Sequence, residues 1–325
     1  MITRRAFGHL AAIGTTGLVL PGFVTRATAA PETYPHRIVT LITHSSPGGG
    51  SDVFLREMTK YLIRYINATF VIENVQGGSG ARALSKLATS RPDGSVLYAT
   101  TPTYIFTSLL SKPQHTYKNV QPLVNVFSDA EVVFTRADGP FKTLGDVIAH
   151  AKEKRGRWGA ANPASLERQA AERLRRAAGV NAAVVSHEGG GDMMINVLNG
   201  TLEMGVGEIQ ELRSQLESKR VRLLAVFNPQ RLAGFPDVPT VQEAGYDVVV
   251  RKFRGLAGPA GLPADIIAIW ERAVQGLLND PDYKALYGAE SLVADFIPQA
   301  AYEPFVNAFA DEAEKFFRET GVIKN

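Results

Sequence analysis

The run Ser45-Ser46-Pro47-Gly48-Gly49-Gly50-Ser51-Asp52 holds residue types suited to gripping an anion. It follows a short β-branched stretch, residues 37–42, and leads into a helical pattern carrying Val53, Met58, Leu62 and Ile66. At the start of such a helix the backbone N–H groups are unpaired and the helix dipole favours negative charge; glycines let the main chain come close to a bound group. Ser51 adds a hydroxyl donor, so a carboxylate suits the loop. The same residues would serve equally well as a tight turn with Ser51 or Asp52 as helix cap. A nucleotide is not expected. Neither this loop nor Gly77-Gly78-Ser79-Gly80 is followed by the Lys-Ser/Thr pair of a P-loop, and neither has G-x-G-x-x-G spacing.

A second group with binding chemistry is Arg251, Lys252 and Arg254 beside Phe253. A guanidinium can hold a carboxylate through two hydrogen bonds, so this cluster either grips a second acidic group or forms a solvated face. Signs of catalysis are sparse: there is no G-x-S-x-G elbow, and His36, His44, His115, His150 and His187 show no H-x-x-x-H spacing. No carboxylate grouping along the sequence suggests a metal cage. His187-Glu188, just ahead of Gly189-Gly190-Gly191, reads as a loop pair without a nucleophile. The chain has no cysteine, which removes thiolate chemistry and leaves stability to the core. No catalytic residue, metal or cofactor is expected.

These candidates must be positioned by a chain of 325 residues, 45% hydrophobic, which is enough for two lobes with separate cores. The first thirty residues differ from the rest. Arg4-Arg5 is a twin-arginine start, residues 10–20 are an apolar stretch too short and too interrupted to span a bilayer, and Ala27-Thr28-Ala29 offers small residues for cleavage. Residues 1–29 therefore read as an export signal, and no later segment is long and apolar enough for a membrane span. Removing the signal takes away Arg4, Arg5 and Arg26, leaving 32 basic against 32 acidic residues. A formally neutral chain has no electrostatic footprint for nucleic acid.

Strand-loop-helix units repeat along the remainder. Strands are expected at 37–42, 70–74 and 96–99, with helices after the first two, and parallel sheets follow from that order. The pattern restarts near Glu131, with helices over 144–152 and 165–178 and strands at 157–160, 183–185 and 222–226. Helices over 264–279 and 300–320 close the chain. Lobe crossings near Asp129 and Gln230 give a discontinuous first lobe, residues 30–129 plus 231–325, and an inserted second lobe, residues 130–230.

Taken together, the motifs resemble those of the extracytoplasmic binding proteins of tripartite tricarboxylate transporters, the Bug family, over essentially the whole mature chain. The resemblance rests on Pro35-His36-Arg37-Ile38, the loop from Pro47 to Asp52 with Arg56, Glu73-Asn74, Gly77-Gly78-Ser79-Gly80 and Pro92-Asp93-Gly94. It continues through Gly189-Gly190-Gly191, Gly200, Leu223-Leu224-Ala225-Val226, Arg231, Pro236-Asp237-Val238-Pro239-Thr240, Gly255 and Pro259-Ala260-Gly261-Leu262-Pro263. It implies an α/β, two-lobed periplasmic-binding-protein fold of type II-like form, with the ligand in the cleft between lobes and a hinge that closes on it. It also implies a periplasmic location, no catalysis, a monomer, and delivery of the ligand to membrane permease subunits.

By the same resemblance Ser46, Gly49, Gly50, Ser51, Asn162, Ala164 and Ser165 surround one carboxylate, with Ser45 and Asp52 in the same loop. Thr101, Thr103, Glu208, Phe253 and Arg254 tune the remainder of the pocket. The facing loop departs from the family pattern, reading Asn162-Pro163-Ala164-Ser165 with Arg168 beyond it. Glu208 stands one residue after a frequent aspartate position, and Arg254 follows Phe253 where the family often has a tryptophan and then a small or aromatic residue. Arg254 is the hint of a dicarboxylate. The expected function is capture of a small organic acid for transport; a sensor subunit for a carboxylate signal, or a periplasmic enzyme acting on one, are the alternatives.

Overall fold

The β-branched run from Arg37 forms strand β1 (Ile38–Thr43), whose last three residues are buried, as a strand covered on both faces requires. In this computed structural model, which describes residues 34–323, the expected export signal lies outside the described residues. After β1 come α1 (Gly50–Leu62), β2 (Thr69–Asn74), α2 (Ala81–Ala88), β3 (Val96–Thr100), α3 (Pro102–Ser111) and β4 (Val120–Asp129). The chain then builds a second sheet from β5 (Val132–Arg136), α4 (Leu144–Glu153), β6 (Arg157–Ala160), α5 (Leu166–Ala177), β7 (Ala183–Ser186), α6 (Gly190–Leu198), β8 (Met204–Gly207), α7 (Ile209–Glu217) and β9 (Val221–Val226). It returns with β10 (Lys252–Pro259), α8 (Ala264–Asn279), α9 (Pro281–Ala289), β11 (Val293–Pro298) and α10 (Gln299–Glu319).

The first sheet has the order β11-β4-β10-β3-β1-β2 and the second β7-β6-β8-β5-β9. The pairs β1–β2, β1–β3, β6–β7 and β6–β8 are parallel, as strand-helix-strand units dictate. Both sheets are nonetheless mixed, where the sequence suggested parallel ones. β10 runs antiparallel to β3 and β4, and β5 runs antiparallel to β8 and β9. The reason is connectivity: β5 and β10 are entered by passing from one sheet to the other, without the crossover helix that parallel neighbours need.

The outward crossing occupies Ala130 and Glu131, next to the expected Asp129. The return falls later than Gln230. Residues 231–250 stay with the second sheet: Thr240 bridges Val226, and Val241, Val248 and Val250 pack in one core with Leu224, Ala225 and Phe227. Only at Lys252 does the chain re-enter the first sheet.

Helix α8 buries Ile266, Trp270, Ala273, Val274, Leu277 and Leu278, the spacing of a single helical stripe, against the core of the first sheet. Helix α10 runs 21 residues, a length of about 30 Å. It sets Tyr302, Val306 and Ala310 in a core with Tyr98 and Phe253 of the first sheet, and Ala313 and Phe317 in a core with Trp158 and Leu224 of the second. One helix thus packs on both halves. Among the described residues no helix is long and apolar enough to cross a membrane.

Candidate functional site

A strand exposes alternate residues to opposite faces, and β10 does so with unlike side chains. Phe253 turns into an aromatic cluster with Tyr302, Phe305 and Phe309. Lys252 and Arg254 turn the other way, into the junction between the sheets, and are 5% and 0% exposed. Lys252 pairs in register with Asp129 at the end of β4, and Glu131 precedes β5, so the two crossings bring opposite charges together.

The resulting network is buried throughout. Arg254 donates through Nε to Asp129 (2.6 Å) and through Nη2 to Gln210 (2.9 Å), and its Nη2 lies 3.3 Å from Glu208. Gln210 donates in turn to Asp129 at 3.1 Å. The Lys252 ammonium donates to Glu131 (2.6 Å) and to Glu208, with Glu167 at 3.5 Å. Carboxylate oxygens of Glu131, Glu167 and Glu208 lie within 4.8 Å of one another, a grouping able to hold a cation that no local sequence spacing announced. Here the Lys252 ammonium fills that role. One oxygen each of Glu131 and Glu167 remains without a hydrogen-bond partner.

The glycine loop stands beside this network. Gly49 caps α1 without a side-chain hydrogen bond; Asp52 N–H turns back to the Gly49 carbonyl at 2.9 Å, while Gly50 N–H is left to an acceptor outside the helix. Gly50 N–H donates to Glu211 Oε2, 3.0 Å away and on the opposite half of the molecule; Glu211 Oε1 accepts from Glu208 N–H at 3.3 Å. The Gly189-Gly190-Gly191 loop abuts the first loop. A Cβ on Gly189 would lie 2.3 Å from Ser46 Oγ, and one on Gly190 would lie 2.2 Å from Glu211 Oε2. Glycine is therefore required at 189, where the Ser46 backbone N would lie 2.6 Å from a Cβ, whereas at 190 a side chain would have to displace the Glu211 carboxyl group.

Between the loops is a space of about 10 Å³, room for roughly one water. First turns or caps of five helices border it: Gly50 and Ser51 of α1, Thr101 and Thr103 of α3, Glu167 of α5, Gly189 and Gly190 of α6, Glu208 and Glu211 of α7. Five positive dipole ends help five buried carboxylates, Asp129, Glu131, Glu167, Glu208 and Glu211, to coexist with only two cations, Lys252 and Arg254.

The charge excess shows in the titration of individual groups. Burial pushes Glu131 up to about 8, only partly opposed by Lys252. Burial and repulsion from Glu167 push Glu211 up to about 8 as well, against the pull of Arg254. Burial lowers His44 to about 4; its Nδ1 lies 2.6 Å from the Tyr98 hydroxyl. The signs of linkage differ. The His44 contribution is complete above its ordinary value of 6.5 and is lost as pH falls through about 4, whereas those of Glu131 and Glu211 are complete below 4.5 and are lost as pH rises through about 8. In urea unfolding from pH 4 to 9, His44→Gln is expected to flatten the acid limb, a term of about 3 kcal/mol in the parent, and Glu131→Gln to flatten the alkaline limb. An acid limb unchanged in the His44 variant would refute the assignment.

Residues 54–314 match the sequence profile of the family described as the tripartite tricarboxylate transporter family receptor. The chain belongs to this family. The receptor is 25% identical over 322 residues to the protein BugT of Bordetella pertussis, covering 95% of each chain. Its fold is similar to that of the periplasmic binding protein BugD, with a TM-score of 0.84 at 22% identity, covering 90% of this chain and all of the other. A protein of R. palustris solved with adipate gives a TM-score of 0.83 at 22% identity, with 89% and 99% covered. The receptor is thus a solute-binding protein with the two-lobed periplasmic-binding-protein fold.

Of the residues singled out in the receptor's sequence, Ser45, Gly50, Ser51, Thr101, Thr103, Asn162 and Glu208 border the central space. Gly49 sits at its edge, opposite Gly190. Six others do not line it. The Ser46 hydroxyl is buried against Gly189 without a partner. Asp52 accepts from Gly48 N–H, Arg56 and Asn74, and so braces the loop from behind. Ser165 caps α5 through Arg168 N–H, and Ala164 packs in the core of the second sheet. Phe253 faces the aromatic cluster, and Arg254 is engaged by Asp129, Gln210 and Glu208. His187 lies off the site, its Nδ1 3.4 Å from the Ala160 carbonyl. Reasoning from sequence did not bring forward Asp129, Glu131, Glu167, Gln210 or Glu211 as site residues.

Proposed function

We propose that this receptor is exported to the periplasm, captures a small organic carboxylate between its two halves and delivers it to the permease of a tripartite transporter. The observation that carries the reading is the hydrogen bond from Gly50 N–H to a carboxylate, that of Glu211. The loop grips this chemical group within its own chain. Ser45, Thr101, Thr103 and Asn162 surround the same space with hydroxyl and amide groups suited to the rest of a small acid. The adipate complex of the R. palustris protein supports an organic acid as ligand. With Arg254 held by protein partners, the hint of a second, arginine-borne carboxylate anchor is withdrawn.

Hinge closure accompanies capture, since a ligand must separate the abutting glycine loops to enter. The test is a thermal-shift series with acetate, succinate and adipate, followed by calorimetry. A ligand present at about 100 times its Kd adds about 2.7 kcal/mol to native stability and raises Tm accordingly. A midpoint that stays constant with every acid would refute the carboxylate reading.

A further inference from the structure

We propose that the Glu211 carboxyl group is the resident occupant of the ligand's carboxylate seat, and that an organic anion enters by displacing it from Gly50 N–H, Glu211 leaving in its protonated form. The inference rests on the carboxylate reading above and goes beyond it by naming the residue that competes with the ligand.

The seat is shaped around this side chain. Gly50 belongs to α1 on the first sheet and Glu211 to α7 on the second, so their hydrogen bond spans the cleft. A Cβ at Gly190 would lie 2.2 Å from Glu211 Oε2 and one at Gly207 would lie 2.1 Å from Oε1, so glycines flank both oxygens. With Glu211 in place the remaining space of about 10 Å³ admits no organic acid. A ligand that uses the Gly50 N–H must move the side chain that holds it.

The proton follows from the charges around Glu211. Facing it are Glu208 from the cap of its own helix, Glu167 from α5, Asp129 from β4, Lys252 and Arg254 from β10, and the neutral His44 after β1, with Glu131 joined to the group through Lys252. Carboxylates already outnumber cations in this group. A ligand anion arriving beside an ionised Glu211 would add an unpaired charge to a buried site, whereas protonating Glu211 leaves the total unchanged. The elevated titration of Glu211, about 8 before any ligand enters, agrees with a group poised for that exchange. Above that pH each bound anion must bring a proton with it, and affinity falls about tenfold per pH unit.

The test uses the mature receptor, acetate and adipate as probes, and calorimetry between pH 7 and 9.5 in buffers of different ionisation enthalpy. The wild type is expected to lose affinity about tenfold per unit above pH 8, with uptake approaching one proton per ligand. Glu211→Gln is expected to bind with a markedly flatter pH profile and less proton uptake than the wild type, the remainder belonging to Glu131. Carboxyl-carbon NMR of the wild type stands independently of whether the variant folds: the Glu211 carboxyl and the Gly50 amide should titrate together in the free protein and separate when adipate binds. Binding by the wild type without proton uptake, or unchanged co-titration in the adipate complex, would overturn the displacement alone. Failure of both acids to bind either protein would overturn the carboxylate reading and this inference with it.

Discussion

Replacing Lys252 with methionine is expected to destabilise the receptor by about 3–5 kcal/mol at pH 8, the cost of breaking a buried ion pair from one side. Methionine keeps most of the volume and removes the charge. The Lys252 ammonium contacts Glu131 and Glu208 and lies 3.5 Å from Glu167. Without it three carboxylates share a buried space with no counter-charge at its centre. Relief comes only through protonation: Lys252 draws both Glu131 and Glu167 down in the parent, and without it both take up protons at higher pH. Stability gained that way is present at low pH and lost as pH rises. The deficit should therefore be large at pH 8 and markedly smaller at pH 5. Urea unfolding at both values measures it, and a deficit equal at the two, or below about 1 kcal/mol at pH 8, would show that Lys252 does not balance this cluster.

Arg254→Leu is expected to cost a similar amount, about 3–5 kcal/mol, for a related reason with a different signature. The guanidinium is fully buried, 2.6 Å from Asp129, and its loss leaves that carboxylate with Gln210 as its remaining side-chain donor. The double variant Arg254→Leu with Asp129→Asn removes the stranded charge. It should be more stable than the sum of the single losses implies, by an interaction energy of roughly 1–3 kcal/mol. Simple additivity of the two would mean that Arg254 acts through its place over the Phe54 ring, 5.9 Å from the ring centroid, and not through Asp129. Because Arg254 borders the network and not the central space, residual ligand affinity in folded variants should be altered less than stability.

The glycine loop was legible in the sequence because its signal is local. A β-branched strand, three glycines and an amphipathic helix within 26 residues specify where a helix N-terminus opens and why the backbone there accepts an anion. Helix α8 was equally plain, since Ile266, Trp270, Ala273, Val274 and Leu277 repeat at helical spacing over its full length. The alternation Lys252-Phe253-Arg254 carried a strand signal that the sequence reading did not use. Period-two spacing alone separates the aromatic from the two cations and places both charges on one face. Glu208-Ile209-Gln210-Glu211, with acids three apart, was a comparable cue for a capped helix start, though not for what that start would face.

What the sequence by itself determined about this protein is the strand-loop-helix units that open each sheet, helices α8 and α10, its family, and the glycine loop at the head of α1, because each depends on spacing within one segment; β4, β8, β10 and β11 and the helices α3, α6, α7 and α9 were not anticipated. The fate of the charged residues was decided only by the tertiary structure. Arg254 read as a ligand anchor until β10 was seen to return beside β4 and meet Asp129, 125 positions away. Glu211 carried no sign that it would cross to Gly50, 161 positions away. Whether a buried charge binds a ligand or another residue is set by which charge faces it, and that pairing exists only once the chain has crossed between its two sheets and come back.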